Sequence, residues 1–267
     1  MARALTGTLL VIVLGFSIIF HPFVLTLMLC FISVAGLYEF YSMVGSADSK
    51  PQSIIASVLS VSILVSLSLF LTGFLPFKYL LLNVVFVLVI FMRELFGRNA
   101  KPFSNIAFTL LGLVYITLPL SCLMWFGFFA SNSYSWHIIL SFFALVWIYD
   151  TFAFFTGMLI GKHRLYERIS PKKSWEGAIG GAVFAIATAY FISMFSTEMN
   201  SVEWMAFALI VVIFATIGDL TESMLKRSYN LKDSGSFLPG HGGILDRFDS
   251  VFIAAPAIFI FLQLIKN

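Results

Sequence analysis

Charged side chains are scarce in this sequence. Only 11% of its 267 residues are Asp, Glu, Lys or Arg, whereas 60% are hydrophobic and 17% are aromatic. Soluble domains carry about 25% charged residues, so a soluble fold would leave this chain too little polar surface to face water. The composition therefore excludes an ordinary soluble domain and indicates an integral membrane protein.

Cysteine and the common cofactor motifs are also missing or nearly so. Cys30 and Cys122 lie in separate apolar runs, far from each other and from any His. This spacing excludes a disulfide framework and a cysteine metal site. The chain has no Walker A pattern, no G-x-G-x-x-G after a strand and no H-E-x-x-H, so it lacks the familiar nucleotide and zinc motifs.

Long apolar stretches dominate what is present. A membrane-spanning helix needs about 20 apolar residues, and the predicted spans are residues 4–20, 23–45, 53–74, 77–96, 104–130, 136–160, 175–195, 202–225 and 245–265. The first run has a basic start but no A-x-A-like cleavage site, which favours a retained helix over a signal peptide. We expect an all-α, polytopic membrane protein with about nine transmembrane helices.

The positive charges are distributed unevenly between the two sides of these helices. With the N-terminus in the cytoplasm, all but two of the 16 Lys and Arg residues lie on cytoplasmic segments or helix ends; the exceptions are Lys78 and Lys266. This bias predicts a cytoplasmic N-terminus. We expect a scaffold of helices in residues 1–130 and a region that carries the polar motifs in residues 131–267, whose long loops, 161–174 and 226–244, face the cytoplasm.

Several acids lie where a bilayer makes charge unfavourable, which marks them as functional candidates. Asp150 precedes residue 160 by about 15 Å of helix, near the midplane unless Gly157 and Gly161 break the helix. Asp219 and Glu222 share a helix face, as paired ligands of Mg²⁺ do. The structural alternatives are a Lys or Arg partner for Asp150 and an i,i+4 pair between Glu222 and Lys226. Glu39, the one notable acid of the first half, is predicted to be an interfacial carboxylate.

The stretch GHGGILDRFD runs from a glycine-rich loop into the last helix. Asp246 and Asp249 share one face there, and a helix N-terminus favours both carboxylates and bound anions. Glycines let backbone N–H groups approach a phosphate, and His241, Lys232 and Arg247 add donors. The alternative is a capping turn with solvated charges.

A second basic stretch, RISPKKSWEG, precedes the seventh predicted span. Lys172 and Lys173 are either part of a phosphate site or an ordinary flank with affinity for anionic lipid headgroups. Gly177 and Gly181 have the small-xxx-small spacing that lets helices pack closely. Acids, glycines and cations at one leaflet favour phosphate chemistry, which needs positioning and charge neutralisation.

These motifs carry a resemblance to a known family. The stretch SMLKRSYNLKDSGSFLPGHGGILDRFD, residues 223–249, resembles the signature of phosphatidate cytidylyltransferases, also called CDP-diacylglycerol synthases. The segments SPKKSWEG and 150–162 resemble the family too, with Ser174 where Thr is usual. The resemblance is motif-level over residues 150–249 and architectural elsewhere. It implies that residues 131–267 form the catalytic region and that the protein lies in a bacterial-type inner (cell) membrane.

The resemblance implies the reaction of CTP with phosphatidate to give CDP-diacylglycerol and pyrophosphate, with Mg²⁺; it leaves open a second cation. The expected partners are CTP, phosphatidate and the lipid bilayer, with no nucleic acid and a possible homodimer. Asp219 and Asp246 are the expected metal ligands, with Asp249 and Glu222 as second candidates. The other expected site residues are the phosphate-binding Lys226, Arg227, Lys232 and Arg247; the cradle residues His241, Gly242 and Gly243; Ser170, Lys172 and Lys173, which would meet the lipid phosphate or CTP; and Asp150, which would order the pocket.

Two other classes of function stay open at this point. Intramembrane acids and glycine-broken helices are also typical of transporters, although transporter sites usually lie near the midplane. A CTP-dependent lipid kinase would move the γ-phosphate of CTP to lipid, whereas a cytidylyltransferase moves the α-phosphate with cytidine. A CDP-alcohol phosphotransferase normally shows a D-G-x₂-A-R…G…D…D pattern, which is not found here.

Overall fold

The protein is an almost entirely helical bundle. The structure, a computed structural model, describes residues 2–45, 49–130, 133–235 and 242–266. The helices within these ranges are α1 (Ala2–Phe20), α2 (Pro22–Val44), α3 (Ser53–Leu71), α4 (Asn83–Phe96), α5 (Pro102–Gly112), α6 (Leu118–Phe126), α7 (His137–Ile160), α8 (Trp175–Ser193), α9 (Ser201–Ser228) and α10 (Leu245–Ile265).

Two of the predicted spans are built from joined helical pieces. A 3₁₀ segment, Phe77–Leu82, leads into α4, and a π-helical turn, Leu113–Thr117, joins α5 to α6. Eight helical segments of the described residues are long and apolar enough to cross a membrane, and α1 contributes a shorter apolar stretch, Gly7–Phe20. The predicted all-α, polytopic membrane fold is therefore confirmed.

A small β-hairpin lies in the predicted loop 161–174. Strands β1 (Arg164–Tyr166) and β2 (Ser170–Ser174) pair antiparallel. The carboxylate of Glu176, at the start of α8, accepts hydrogen bonds from the backbone N–H groups of Lys162 and His163. The loop prediction thus needs correction, because strands this short and polar carry no alternating pattern. The second predicted loop also begins later, since α9 continues through Ser228.

Glycines bring the backbones of α7 and α8 into contact. A Cβ at Gly181 would lie 2.7 Å from the carbonyl oxygen of Tyr149, and one at Gly177 would lie 2.7 Å from that of Ala153. The predicted close packing at Gly177 and Gly181 is confirmed, and it occurs within one protomer. Helix α7 continues unbroken to Ile160, so Gly157 does not interrupt it.

Candidate active site

A cavity of about 520 Å³ opens between the hairpin and helices α7, α8, α9 and α10. This volume is within the range of ligand sites, about 300–1,000 Å³. The charged side chains in its lining are the acids Asp150, Asp219, Asp246 and Asp249 and the cations Arg164, Lys172 and Lys173. Sequence analysis predicted all of these except Arg164. Asp150 therefore lies in the same site as the other acids. Helix α7 is unbroken at this point, and the cavity is deep enough to reach Asp150.

Asp219 and Asp249 approach each other because α9 and α10 touch beside them. A Cβ at Gly218 would lie only 2.5 Å from the carbonyl oxygen of Asp249. Asp219 forms an ion pair with Lys173 of the hairpin, which ties β2 to α9 across the cavity. The side chain of Asp249 lies within electrostatic reach of both Asp219 and Asp150.

The cavity acids outnumber the cations that pair with them. Within the described part of the chain, Lys173 pairs with Asp219, whereas Asp150 and Asp249 form no ion pair. Asp249 accepts one hydrogen bond, from the backbone N–H of Ser250 at 2.6 Å. Neighbouring carboxylates repel one another, so this arrangement favours a bound cation.

Lys226 bridges two acids from different helices. Its ammonium group pairs with Glu222 one turn earlier and with Asp246 Oδ1 of α10 at 2.7 Å. The side chain of Glu222 is fully buried, at 0% exposure. Its pairing with Lys226 matches the structural alternative for this residue, and neither Glu222 nor Lys226 is among the described residues that line the cavity.

Asp246 also fixes the end of the glycine-rich loop. Its Oδ2 atom accepts hydrogen bonds from the N–H of Ser234 at 3.1 Å, the hydroxyl of Ser234 at 2.9 Å and the N–H of Gly243 at 2.9 Å. Gly242 has a φ of +81°, a conformation that L side chains rarely adopt, and an added Cβ would lie 2.8 Å from Asp246 Oδ2. Both oxygens of Asp246 are therefore engaged by protein donors.

Glu39 joins this arrangement from the first half of the chain. It lies on α2, is 2% exposed, and accepts hydrogen bonds from the N–H groups of Ile244 and Leu245, each at 3.0 Å. The prediction of an interfacial carboxylate did not include these partners: Glu39 is buried and accepts backbone N–H groups of α10. A lone acid in an otherwise apolar helix was the available signal, but its partners lie 205 and 206 positions away in sequence.

Three further predicted residues, Ser170, Arg227 and Lys232, are not among the described residues that line the cavity. Ser170 begins β2 and is half-buried, while Arg227 and Lys232 are exposed at and beyond the end of α9. Arg227 donates to the carbonyl oxygen of Leu231 at 3.2 Å. His241 lies outside the described residues. The roles of these four residues stay predictions.

A second, smaller cleft of about 300 Å³ reaches the same acids from another side. It lies between α1, α7 and α10 and shares Asp150, Asp246 and Asp249 with the larger cavity. Arg247 also lines it, and its apolar wall includes Leu10, Leu14, Phe143, Val146 and Trp147. The acids can thus be approached from two sides, and each side carries at least one cation and several apolar side chains.

The residues fit a divalent cation that keeps part of its hydration shell. No group of three His, Cys, Asp or Glu side chains in the described ranges is close enough to hold a metal together. Mg²⁺, however, is commonly bound by one or two carboxylates, waters and substrate phosphates. Asp219 and Asp249 are the best placed pair. Both line the cavity, and Asp219 has one cation partner, Lys173, whereas Glu222 does not line it and Asp246 is engaged by Lys226 and by three further donors.

Comparison with known proteins gives consistent matches. The model of the cytidylyltransferase family matches residues 1–265. Proteins named phosphatidate cytidylyltransferase are similar to this chain: one from Staphylococcus haemolyticus (strain JCSC1435) is 39% identical over 168 residues, covering 62% of each chain. One from Staphylococcus aureus (strain COL) is 37% identical over 178 residues, covering 65% of each. One from Rickettsia bellii (strain RML369-C) is 39% identical over 163 residues, covering 58% of this chain and 69% of that protein. The first two alignments span a little under two thirds of the relatives' length.

Proposed function

Because the chain belongs to the cytidylyltransferase family, we propose that it transfers the cytidylyl group of CTP to phosphatidate, giving CDP-diacylglycerol and pyrophosphate. One observation carries the proposal beyond the family: the same acids are reached by a cavity that carries Arg164, Lys172 and Lys173 and by a separate cleft that carries Arg247 and an apolar wall from α1 and α7. A reaction between a water-soluble polyanion and a membrane lipid needs two such approaches.

The two substrates are assigned by the chemistry of each approach. The triphosphate of CTP suits the larger cavity, where Lys172, Lys173 and Arg164 supply positive charge. Phosphatidate suits the cleft beside α1, where Trp147 and its apolar neighbours contact hydrocarbon and Arg247 meets the phosphate. Arginine binds phosphate well because its planar donors match the phosphate oxygens.

The reaction then follows from charge and proximity. A phosphate oxygen of phosphatidate attacks the α-phosphorus of CTP, and the bond to the β-phosphate oxygen breaks to release pyrophosphate. A phosphomonoester has its second pKa near 6, so the nucleophile is largely ionised and needs little help from a base. Repulsion between two anionic substrates is the main obstacle, and Lys172, Lys173 and Arg247 reduce it.

Mg²⁺ is part of the proposal. Asp219 and Asp249 would hold it, with Asp150 behind them and Asp246 holding the loop in place. When bound, a divalent cation neutralises phosphate charge and stabilises the leaving pyrophosphate. A second cation and a homodimer stay predictions.

We also place the active site on the cytoplasmic side of a bacterial-type inner membrane. The distribution of Lys and Arg supports this orientation. It gives the larger cavity access to cytoplasmic nucleotide, while the cleft beside α1 faces the bilayer.

A labelling assay with purified protein tests the proposal. With phosphatidate and Mg²⁺, label from [α-³²P]CTP should enter the lipid phase and label from [γ-³²P]CTP should not. Transfer of γ-label would indicate a lipid kinase, and ion flux in proteoliposomes without CTP consumption would indicate a transporter. EDTA should stop the reaction and added Mg²⁺ should restore it.

Two variants test the metal ligands. Asp219→Asn and Asp249→Asn should each lower kcat by about 100-fold or more, the scale of losing a group that stabilises transition-state charge. Glu203→Gln is the matched control, because Glu203 lies on the same helix about 24 Å from Asp219. Near-normal turnover of both Asp variants at saturating Mg²⁺ would refute the assignment.

A further inference from the structure

Glu39 lies in the half of the chain that carries none of the recognised motifs, yet it contacts the catalytic loop. We propose that Glu39 is a positioning residue for the reaction proposed above, and the inference rests on that function. It holds the start of α10, and with it the loop end that carries Gly243 and Asp246, in the geometry that the cavity needs.

Helix α10 has no cap of its own. Its N-cap residue is Ile244, whose side chain accepts no hydrogen bond. The first N–H groups of a helix lack intrahelical acceptors and must be satisfied from elsewhere. The two carboxylate oxygens of Glu39 accept the N–H groups of Ile244 and Leu245 separately, Oε1 from the first and Oε2 from the second. A carboxylate at this end is also favoured by the helix dipole.

The contact extends from Glu39 into the active site through Ser234. The hydroxyl of Ser234 lies 3.4 Å from Glu39 Oε2 and 2.9 Å from Asp246 Oδ2. Asp246 in turn pairs with Lys226. A continuous set of polar contacts therefore connects α2 with α9 and α10.

The surrounding backbone leaves Glu39 little room to move. A Cβ at Gly235 would lie 2.8 Å from Glu39 Oε1, and one at Gly243 would lie 2.4 Å from Oε2. Both glycines belong to the segment that resembles the family signature, and the lack of a side chain at each lets its backbone approach the Glu39 carboxylate. This role is separate from phosphate binding, which sequence analysis assigned to the loop glycines.

The test uses Glu39→Gln, which keeps size but replaces one acceptor oxygen with an NH₂ group that faces a backbone N–H. The matched control is Glu94→Gln. Glu94 is also a buried glutamate of the first half, 4% exposed, but its side-chain partners are Gln52, Asn99 and Asn105, all in that half. The control reports what losing a buried carboxylate does to the fold alone.

Two readouts separate positioning from folding. Amide exchange of a peptide covering residues 242–247 should speed up by about 10- to 100-fold in Glu39→Gln, the effect of losing a hydrogen bond to a charged group, and should stay near wild type in Glu94→Gln. Per folded protein, kcat should fall by a similar factor in Glu39→Gln, while KM for CTP stays within about twofold, because the cations assigned to CTP lie on the hairpin and not on the segment that Glu39 holds.

The outcomes are distinguishable. Wild-type exchange at residues 242–247, or wild-type kcat per folded molecule in Glu39→Gln, would overturn the positioning role. Equal losses of kcat in both variants would overturn it as well, since a general packing defect would then explain the effect. A wild-type protein without turnover would refute the proposed reaction instead, and the exchange comparison would alone decide whether Glu39 holds the loop.

Discussion

Replacing Lys226 with methionine should destabilise the protein strongly. Lys226→Met keeps the length and the apolar stem of the side chain but removes the charge that bridges Glu222 and Asp246. Removing one partner of a buried ion pair typically costs about 3–5 kcal/mol, because the remaining charge is left without compensation. Against a typical total of about 5–15 kcal/mol, this is a large fraction of the folding free energy.

The structure indicates which of the two acids loses more stabilisation when Lys226 is replaced. Asp246 would keep three donors, from Ser234 and Gly243, after the lysine is gone. Glu222 would keep none, because the oxygens of this fully buried carboxylate have no other hydrogen-bond partner among the described residues. The loss is therefore concentrated on one carboxylate, which places the expected change near the lower bound, about 3 kcal/mol.

A double-mutant cycle measures this directly. Glu222→Gln alone leaves the pair between Lys226 and Asp246 and should cost about 1 kcal/mol or less. Combined with Lys226→Met, it removes the uncompensated charge, so the double variant should be more stable than Lys226→Met by about 2 kcal/mol. Reversible unfolding in mixed micelles by SDS titration gives the free energies.

The control for charge loss is Lys232→Met, at an exposed lysine of the following loop. It should change the free energy of unfolding by no more than about 0.5 kcal/mol. Two results would contradict the role of Lys226 in compensating a buried charge on Glu222. One is a cost of less than about 1 kcal/mol for Lys226→Met. The other is a double variant whose loss of unfolding free energy equals the sum of the losses in Lys226→Met and Glu222→Gln.

Three further outcomes can be measured on the same preparation. Gly181→Ala should lower the thermal midpoint, since its Cβ would lie 2.7 Å from a backbone oxygen. The control Gly15→Ala should leave the midpoint unchanged, because no atom lies within 4 Å of the added carbon. Equal midpoints in the two variants would contradict the contact of α7 and α8. Trp147→Ala should raise KM for phosphatidate by about tenfold, the value of roughly 1–2 kcal/mol of apolar contact, with KM for CTP unchanged. Lys173→Gln should raise KM for CTP by about tenfold, through the loss of a charged hydrogen bond, and leave KM for phosphatidate unchanged. If either variant changes both KM values, the two substrates do not approach separately.

The spans and most of the acid cluster were predictable because the bilayer imposes strict local rules. A spanning helix must show about 20 apolar residues in a row. An acid such as Asp150 or Asp219 is unfavourable in such a run unless it faces a cavity, a partner or an ion, so it marks a functional candidate. Both signals can be found in a single stretch of sequence. The hairpin at 164–174 gives no such signal, because it lies outside the apolar runs and its strands are too short to show a pattern.

The partners of each acid were less predictable, because they depend on which helices meet. Spacing alone pairs Lys226 with Glu222 one turn away, but only the contact of α9 with α10 adds Asp246 to the same ammonium group. The same limit applies to the metal ligands. Asp219 and Asp246 looked equivalent in sequence, whereas in the structure Asp249 lies beside Asp219 and Asp246 is engaged by the loop.

These long-range contacts also bear on the division of the chain at residue 130. All recognised motifs follow that point, which is why the first half was predicted to be a scaffold. Yet Leu10 and Leu14 of α1 form one wall of the apolar cleft, and Glu39 of α2 accepts the first N–H groups of α10. A C-terminal half on its own would leave those N–H groups buried without acceptors and the cleft open on one side. The first half therefore supplies part of the site itself. Its leucines and glutamate are common residue types, and only their position in the folded protein makes them part of the site.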